Sequence, residues 1–201
     1  MLDLTLKFLA DELNQYLALQ PGLIIGDMSL VMAAASRILD GDANNTNVDT
    51  SLTNRAIISL VNVEEDRIGR QQEAFTRTVS GVVYANPPVK LNLYVLFVMN
   101  LKSHEQALRW LSCIIRFFQH QPVFTPLSHP ALNPAIQQLN VEMVSLSFEQ
   151  ANQLWSTLGG KYLPSVLYKI RQVTVDEGAT IADGGYIRSV TINDRGQQPV
   201  S

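Results

Sequence analysis

Residues 89–99 read Val-Lys-Leu-Asn-Leu-Tyr-Val-Leu-Phe-Val-Met, and no other stretch restricts the possible folds as much. Val89, Leu91, Leu93, Val95, Phe97 and Met99 alternate and so share one face of an extended strand. The other face runs from Lys90 and Asn92 to Tyr94, Leu96 and Val98, so it becomes buried partway along. Residues 55–63 carry Ile57, Ile58, Leu60, Val61 and Val63, the near-continuous apolar run of a strand covered on both faces.

The segments around these strands can be read in the same way. Residues 3–19 predict an amphipathic helix with Leu2, Leu6, Leu9, Leu13 and Tyr16 on one stripe, ended by Pro21-Gly22. Residues 23–38 are apolar and fit either a bent strand at 24–33 or a helix through Ala33–Ala35. Residues 40–54 are an Asp-, Asn- and Thr-rich loop with no apolar period, expected to order on a partner. A charged exposed segment is expected at 64–77 and a strand at 78–84, before Pro87-Pro88.

Ser103 and Gln106 frame a capping box that opens a helix to about residue 119. Its core stripe is Leu108, Leu111, Ile115 and Phe118, widened by Trp110, Ile114 and Phe117. A short strand follows at 123–125, then a strand at 138–146 with Leu139, Val141 and Met143 inward. Ser147 and Gln150 repeat the capping box, for a helix carrying Ala151, Leu154, Trp155 and Leu158 and ended by Gly159-Gly160. The last clear strand is 165–175, where Val166, Tyr168 and Ile170 alternate with Lys169 and Arg171. The expected class is α+β, a mixed, mainly antiparallel sheet flanked by helices. Residues 1–175 form one domain in this reading, and 176–201 a Gly-rich polar tail with room for a strand at 186–192.

Composition narrows the function classes. The chain has 201 residues, 46% of them hydrophobic, and a net charge of −3. There is no basic excess to neutralise phosphates, so no nucleic-acid partner is expected. Charged residues make up 16%, below the ~25% usual for soluble proteins. That fits a surface partly covered by partner subunits, and equally a monomer rich in Ser, Asn and Gln. One cysteine, Cys113, cannot form an internal disulfide, and the N-terminus lacks a secretory pattern, which points to the cytoplasm. No stretch approaches ~18 uninterrupted apolar residues, so a membrane partner is not expected.

The usual catalytic and ligand signatures fail on inspection. Asp40, Asp42 and Asn44 begin like a calcium loop, but Asn45 and Ser51 stand where Gly and Glu are required. Asn44 heads a glycosylation triplet, which is irrelevant without secretion. His104, His120 and His129 have no metal spacing to one another or to Cys113, and His104-Glu105 lacks the second histidine of a zincin helix. Gly159-Gly160-Lys161 resembles the tail of a phosphate loop, but Trp155 occupies its first glycine position and Tyr162 follows the lysine. Glu64, Glu65 and Asp66 cluster with no obvious partner and read as a solvated turn. No nucleophile, base and orienting group can be assembled. The expectation is a non-enzyme with no cofactor, no metal and no small-molecule substrate.

Four segments together carry a resemblance. They are Leu-x-Phe-Leu-Ala-Asp-Glu-Leu-Asn-Gln-Tyr-Leu at 6–17, Ile-Ile-Ser-Leu-Val-Asn-Val-Glu-Glu-Asp-Arg at 57–67, and Pro-Val-Lys-Leu-Asn-Leu-Tyr-Val-Leu-Phe at 88–97 with Phe-Phe-Gln at 117–119 and Val-Phe-Thr at 123–125. The fourth and most specific spans 154–171, with Trp155, Gly159, Tyr162, Pro164 and Tyr168. The chain resembles the tail-terminator, or tube-cap, family of extracellular contractile injection systems of the antifeeding-prophage type. That resemblance implies a fold similar to phage tail terminators and a ring, a hexamer, on the baseplate-distal end of the inner tube. Its partners would be copies of itself, the inner tube protein and the sheath protein. The motif residues are expected to set the corner between helix and strand and to pack the core. Asn92 is expected to bond a neighbouring backbone, and Lys169 and Arg171 to face outward or into a subunit interface. A different tail-completion ring, a monomeric binding or regulatory domain, and an enzyme with scattered residues remain as alternatives.

Overall fold

A computed structural model describes residues 1–23, 29–38, 52–66, 75–78, 81–85, 89–159, 162–175 and 180–185. The loop at 40–51, Gly160, Lys161 and the anticipated strand at 186–192 lie outside these residues. The chain divides into two compact units: Met1–Gly69 with Val89–Val175, and Arg70–Pro88 with Asp176–Ser201.

The first unit is built on a six-stranded sheet. In chain order its strands are β1 (Leu30–Met32), β2 (Arg55–Glu65), β5 (Val89–Asn100), β6 (Val123–Phe124), β7 (Leu139–Val144) and β8 (Ser165–Val175). The spatial order is β1-β2-β5-β8-β7-β6, parallel between β1 and β2 and antiparallel elsewhere. The two longest alternating segments therefore lie at the centre, not at an edge, and the two borders of the sheet are the short strands β1 and β6. Its helices are α1 (Leu2–Ala18), α2 (His104–His120) and α3 (Phe148–Thr157), with a 3₁₀ turn at Ala35–Ile38.

The double-faced pattern of β5 is realised as two cores. Leu93, Val95, Phe97 and Met99 pack with α1 and α2 on one side. Leu96 and Val98 pack with Ala35, Leu52, Ile57 and Trp155 on the other. Phe97 is at the centre of the larger core, 5.5 Å from Phe118 and 5.8 Å edge-on from Tyr168. Phe8 and Phe117 close around Phe124, at 5.6 and 6.1 Å. Aromatic pairs of this kind add to the stabilisation from area alone.

The helices start and stop for local reasons. The Ser103 hydroxyl accepts from the Gln106 amide at 3.4 Å. The full reciprocal box forms at Ser147 and Gln150. Gly159, at φ 114°, follows α3 in a region that side chains disfavour, so glycine suits that exit. The face of α2 is rotated from expectation: Ala107, Trp110, Cys113, Ile114, Phe117 and Phe118 are buried while Leu108 is 46% exposed. The apolar band was wide enough for two choices of centre, and packing against β5 and α1 selects the one that buries the indole.

Other elements also depart from expectation. Residues 29–38 use part of each alternative, a strand at Leu30–Met32 and a 3₁₀ turn at Ala35–Ile38, while Ile24 and Ile25 lie outside the described residues. Glu64 and Glu65 belong to β2, not to a turn. In the second unit, the single strand expected at 78–84 is a hairpin of β3 (Phe75–Thr78) and β4 (Gly81–Ala85), in which Thr78 pairs with Gly81. Charge around 64–77 masked the strand preference of Phe75, Thr76 and Thr78. β9 (Thr180–Gly185) lies in the segment read as tail and pairs with β4, giving a three-stranded sheet β3-β4-β9. Met143, expected inward, is 56% exposed.

The two edges of the large sheet are treated differently. At β1, Asn14 of α1 grips Leu30 on both sides: its side-chain amide donates to the Leu30 carbonyl at 3.0 Å, and its Oδ1 accepts from the Leu30 amide at 2.9 Å. That occupies main-chain groups at one border. At the other border β6 pairs only with Leu139 and Asn140 of β7.

Phe97→Ala is expected to lower the unfolding free energy by about 3–5 kcal/mol, whereas Leu127→Ser, at a position 95% exposed, should change it by less than about 0.5 kcal/mol. Urea denaturation of the two variants checks the difference.

Candidate functional interface

The segment 154–171 reaches both faces of the sheet. Trp155 leaves α3 into the smaller core, where Leu96 and Leu167 are also buried. Tyr162 meets its ring edge-on at 5.7 Å and is itself 70% exposed. The Pro164 carbonyl accepts the Met99 amide at 2.9 Å, which starts the ladder between β8 and the end of β5. Four residues later Tyr168 enters the opposite core, 4.7 Å from Phe118. Trp155, Gly159, Pro164 and Tyr168 thus form the corner between α3 and β8 and tie it to both cores. Tyr162 and Gly159 are the motif residues that remain at the surface.

Lys169 and Arg171 come out on the strand positions between those core residues. The Lys169 ammonium donates to Glu64 Oε2 at 2.9 Å and sits 5.1 Å over the Tyr94 ring. The Tyr94 hydroxyl donates to the same carboxylate oxygen at 2.8 Å. Arg171 Nε lies 3.3 Å from Glu142 Oε2. Both cations therefore have partners within the chain, on β2 and β7 respectively. Glu64, read as part of a solvated turn, is the centre of this cross-strand group. Its partners lie 30 and 105 residues away, a separation that no local pattern reveals.

The electrostatics follow from the contacts. The hydrogen bond from Lys169, then that from Tyr94, holds the Glu64 carboxyl below its ordinary range. Reciprocally, the bond to Glu64 raises the Lys169 ammonium. These shifts favour the ion pair at neutral pH. The Glu64 contribution is lost as pH falls through its lowered value, and the Lys169 contribution as pH rises through its raised one. Both groups reach solvent, so the pair orders the surface more than it stabilises the fold.

Asn92 lies opposite Glu64 in the β2–β5 register, beside a bulge between Leu91 and Leu93 on the β8 side. It is 5% exposed, and among the described residues no donor reaches its Oδ1. An orphan acceptor of this kind costs about 1–3 kcal/mol. Among the described residues no group of His, Cys, Asp or Glu is arranged to hold a metal. No described helix is long and apolar enough to cross a membrane. Cys113 is buried, and His104 and His120 occupy the two ends of α2. The geometry suits protein contact: a polar strip at Glu64, Tyr94, Lys169, Arg171 and Glu142, and an apolar cleft of roughly 550 Å³ beside Phe148, Trp155 and Tyr162.

Two expectations follow. Lys169→Met should move the Glu64 carboxyl back up toward its ordinary range, measured by carboxyl NMR over a pH titration. Burial raises the Tyr168 hydroxyl from 10.0 to about 12, so stability should fall as pH rises from its unfolded value through that figure. Tyr168→Phe should remove this part of the alkaline loss, read from urea midpoints between about pH 9 and pH 11.

Comparison with known proteins identifies the relatives of this arrangement. A search of characterised protein sequences finds no match. Among solved structures, the sheath/tube terminator of the PVC extracellular contractile injection system in its extended state superposes with a TM-score of 0.62 at 13% identity, covering 100% of this chain and 65% of that one. The tube-terminating cap of the anti-feeding prophage superposes with a TM-score of 0.53 at 14% identity, covering 76% of this chain and 54% of that one. The chain thus spans less than two thirds of the length of either protein. The likeness shows that the α+β sheet flanked by helices is the fold of these terminators. The Pvc16 N-terminal domain family matches residues 5–189, nearly the whole sequence, and the chain belongs to that family.

Proposed function

We propose that this chain is a structural terminator of an extracellular contractile injection system, seated as a ring on the baseplate-distal end of the inner tube. The observation that carries this reading is family membership over residues 5–189, joined to a fold shared with a sheath/tube terminator and a tube-terminating cap. Copies of the chain form a hexamer that matches the tube beneath it. The ring covers the surface on which the next tube layer would assemble and so ends polymerisation. Its outer side holds the last layer of sheath. Residues 1–175 supply the ring body, and 176–201 contribute further partner contacts. Chemistry is not required for this work, and the chain acts without catalysis or cofactor, assembled in the cytoplasm.

The polar strip supports such a role. Lys169 and Arg171 are already charge-paired with Glu64 and Glu142, so a partner meets a pre-ordered surface of mixed charge and loses little side-chain entropy on contact. Mixed charge also disfavours wrong partners more than it adds affinity. Asn92 fits the same logic. Its unpaired oxygen costs stability in the isolated chain, and a shift of the strand at Asn92 on subunit contact would bring this otherwise sealed oxygen to a donor.

Deleting the gene is expected to give tubes of uncontrolled length or particles with detached sheath in electron micrographs. Complementation with Asn92→Leu should restore the fold, with a gain of roughly 1 kcal/mol in the isolated protein, but cap particles less completely. Particles of normal dimensions in the deletion strain would end the terminator reading.

A further inference from the structure

The outer border of β7 is left open where the chain leaves the sheet. The Val141 amide donates to the Pro122 carbonyl at 2.8 Å, so it points away from β8. Strand geometry alternates every residue, which aims the Met143 amide and carbonyl the same way. β6 stops at the pairing of Val123 with Asn140, and among the described residues no strand other than β8, on the inner side, pairs with Met143. The opposite border has no such opening at Leu30, where Asn14 takes both main-chain groups.

An apolar trough adjoins this open border. Phe148, in the first turn of α3, is 99% exposed; Tyr162 is 70% and Met143 56% exposed. These three and Trp155 line one cleft of roughly 550 Å³. The reciprocal capping box holds the first turn of α3 in place, so Phe148 is displayed on a fixed support. An exposed phenylalanine alone would be unremarkable. An exposed phenylalanine beside unpaired strand groups and a cleft floored by a buried indole is a built site.

The size of the trough decides what fits. At roughly 200 Å² per large side chain, the three exposed residues have on the order of 450 Å² of accessible surface in all directions, an upper limit on what the trough itself offers. That is about half of the ~800 Å² per partner that a stable globular interface buries. It is enough for a few residues of extended chain, whose own backbone can satisfy Met143 while alternate side chains drop into the cleft. We infer that the β7 border at Met143 and the cleft of Phe148, Trp155 and Tyr162 receive an extended apolar segment of a different polypeptide as an added strand. This inference does not depend on the terminator reading: it requires only the isolated chain.

The test uses a dye-labelled six-residue peptide alternating valine and threonine, titrated with the full chain and followed by fluorescence anisotropy. Saturable binding is expected. N-methylation of alternate peptide amides should weaken it about five- to tenfold by removing strand hydrogen bonds, and Phe148→Ser should weaken it by a similar factor. Phe148 is at the surface, so this variant keeps the fold, which an unchanged urea midpoint verifies. Absence of saturable binding, or equal binding of the methylated peptide, overturns the inference. So does light scattering that shows an oligomer of the wild type dissolved by Phe148→Ser, because the cleft would then be occupied by a second copy.

Discussion

Burial of β5 on both faces is the constraint on which the rest of the first unit depends. A strand that presents Leu93, Val95, Phe97 and Met99 to one side and Leu96 and Val98 to the other cannot lie at a surface. It needs a neighbour on each border to satisfy its backbone, supplied by β2 and β8. It also needs apolar cover above and below. The long helices α1 and α2 serve one side, and α3 with the 3₁₀ turn serves the other. Toward the start of the strand that face changes from Leu96 to the half-buried Tyr94 and then to Asn92, which is polar but still buried.

That change along one strand produces the candidate interface. Beyond Leu96, strands β2, β5 and β8 continue together but carry Glu64, Tyr94 and Lys169 in place of aliphatic residues. Cross-strand neighbours at these distances form hydrogen bonds that hold long side chains in one arrangement. The same three strands are therefore a folding scaffold at one end and a shaped polar surface at the other. In the role proposed above, such rigidity would matter more than affinity at any one residue. The terminators that share this fold are longer, and this chain spans 65% and 54% of them.

Much of the architecture was legible because it is local. The cap at Ser147 and Gln150, the glycine exit at Gly159 and the period of two along β5 and β8 depend on residues within a few positions of one another. The rotation of α2 was not legible, because Leu108 and Trp110 are both apolar and only the shape of the opposing sheet decides which is buried. The hairpin of β3 and β4 was hidden by nearby charge, and β9 by a segment rich in glycine and polar residues. Recognising the terminator family required the spacing of Trp155, Gly159, Tyr162, Pro164 and Tyr168, which is a pattern more than a physical argument. Yet the structure explains the spacing: Trp155 and Tyr168 fall on opposite faces of the sheet because a corner and the three strand residues 165–167 separate them.

What the amino-acid order by itself determined was the kind of layer each segment makes, since helix and strand periods are set by backbone geometry over short distances. It also determined that the centre of the sheet would be apolar on both sides. Tertiary structure alone decided which strands became neighbours. That choice gave Glu64 its bonds to Tyr94 and Lys169, closed one border with Asn14 and left the other open at Met143. The physical reason is reach. Hydrogen bonds and ion pairs act over a few ångströms, so residues 30 to 105 positions apart influence one another only after the chain has brought them into contact.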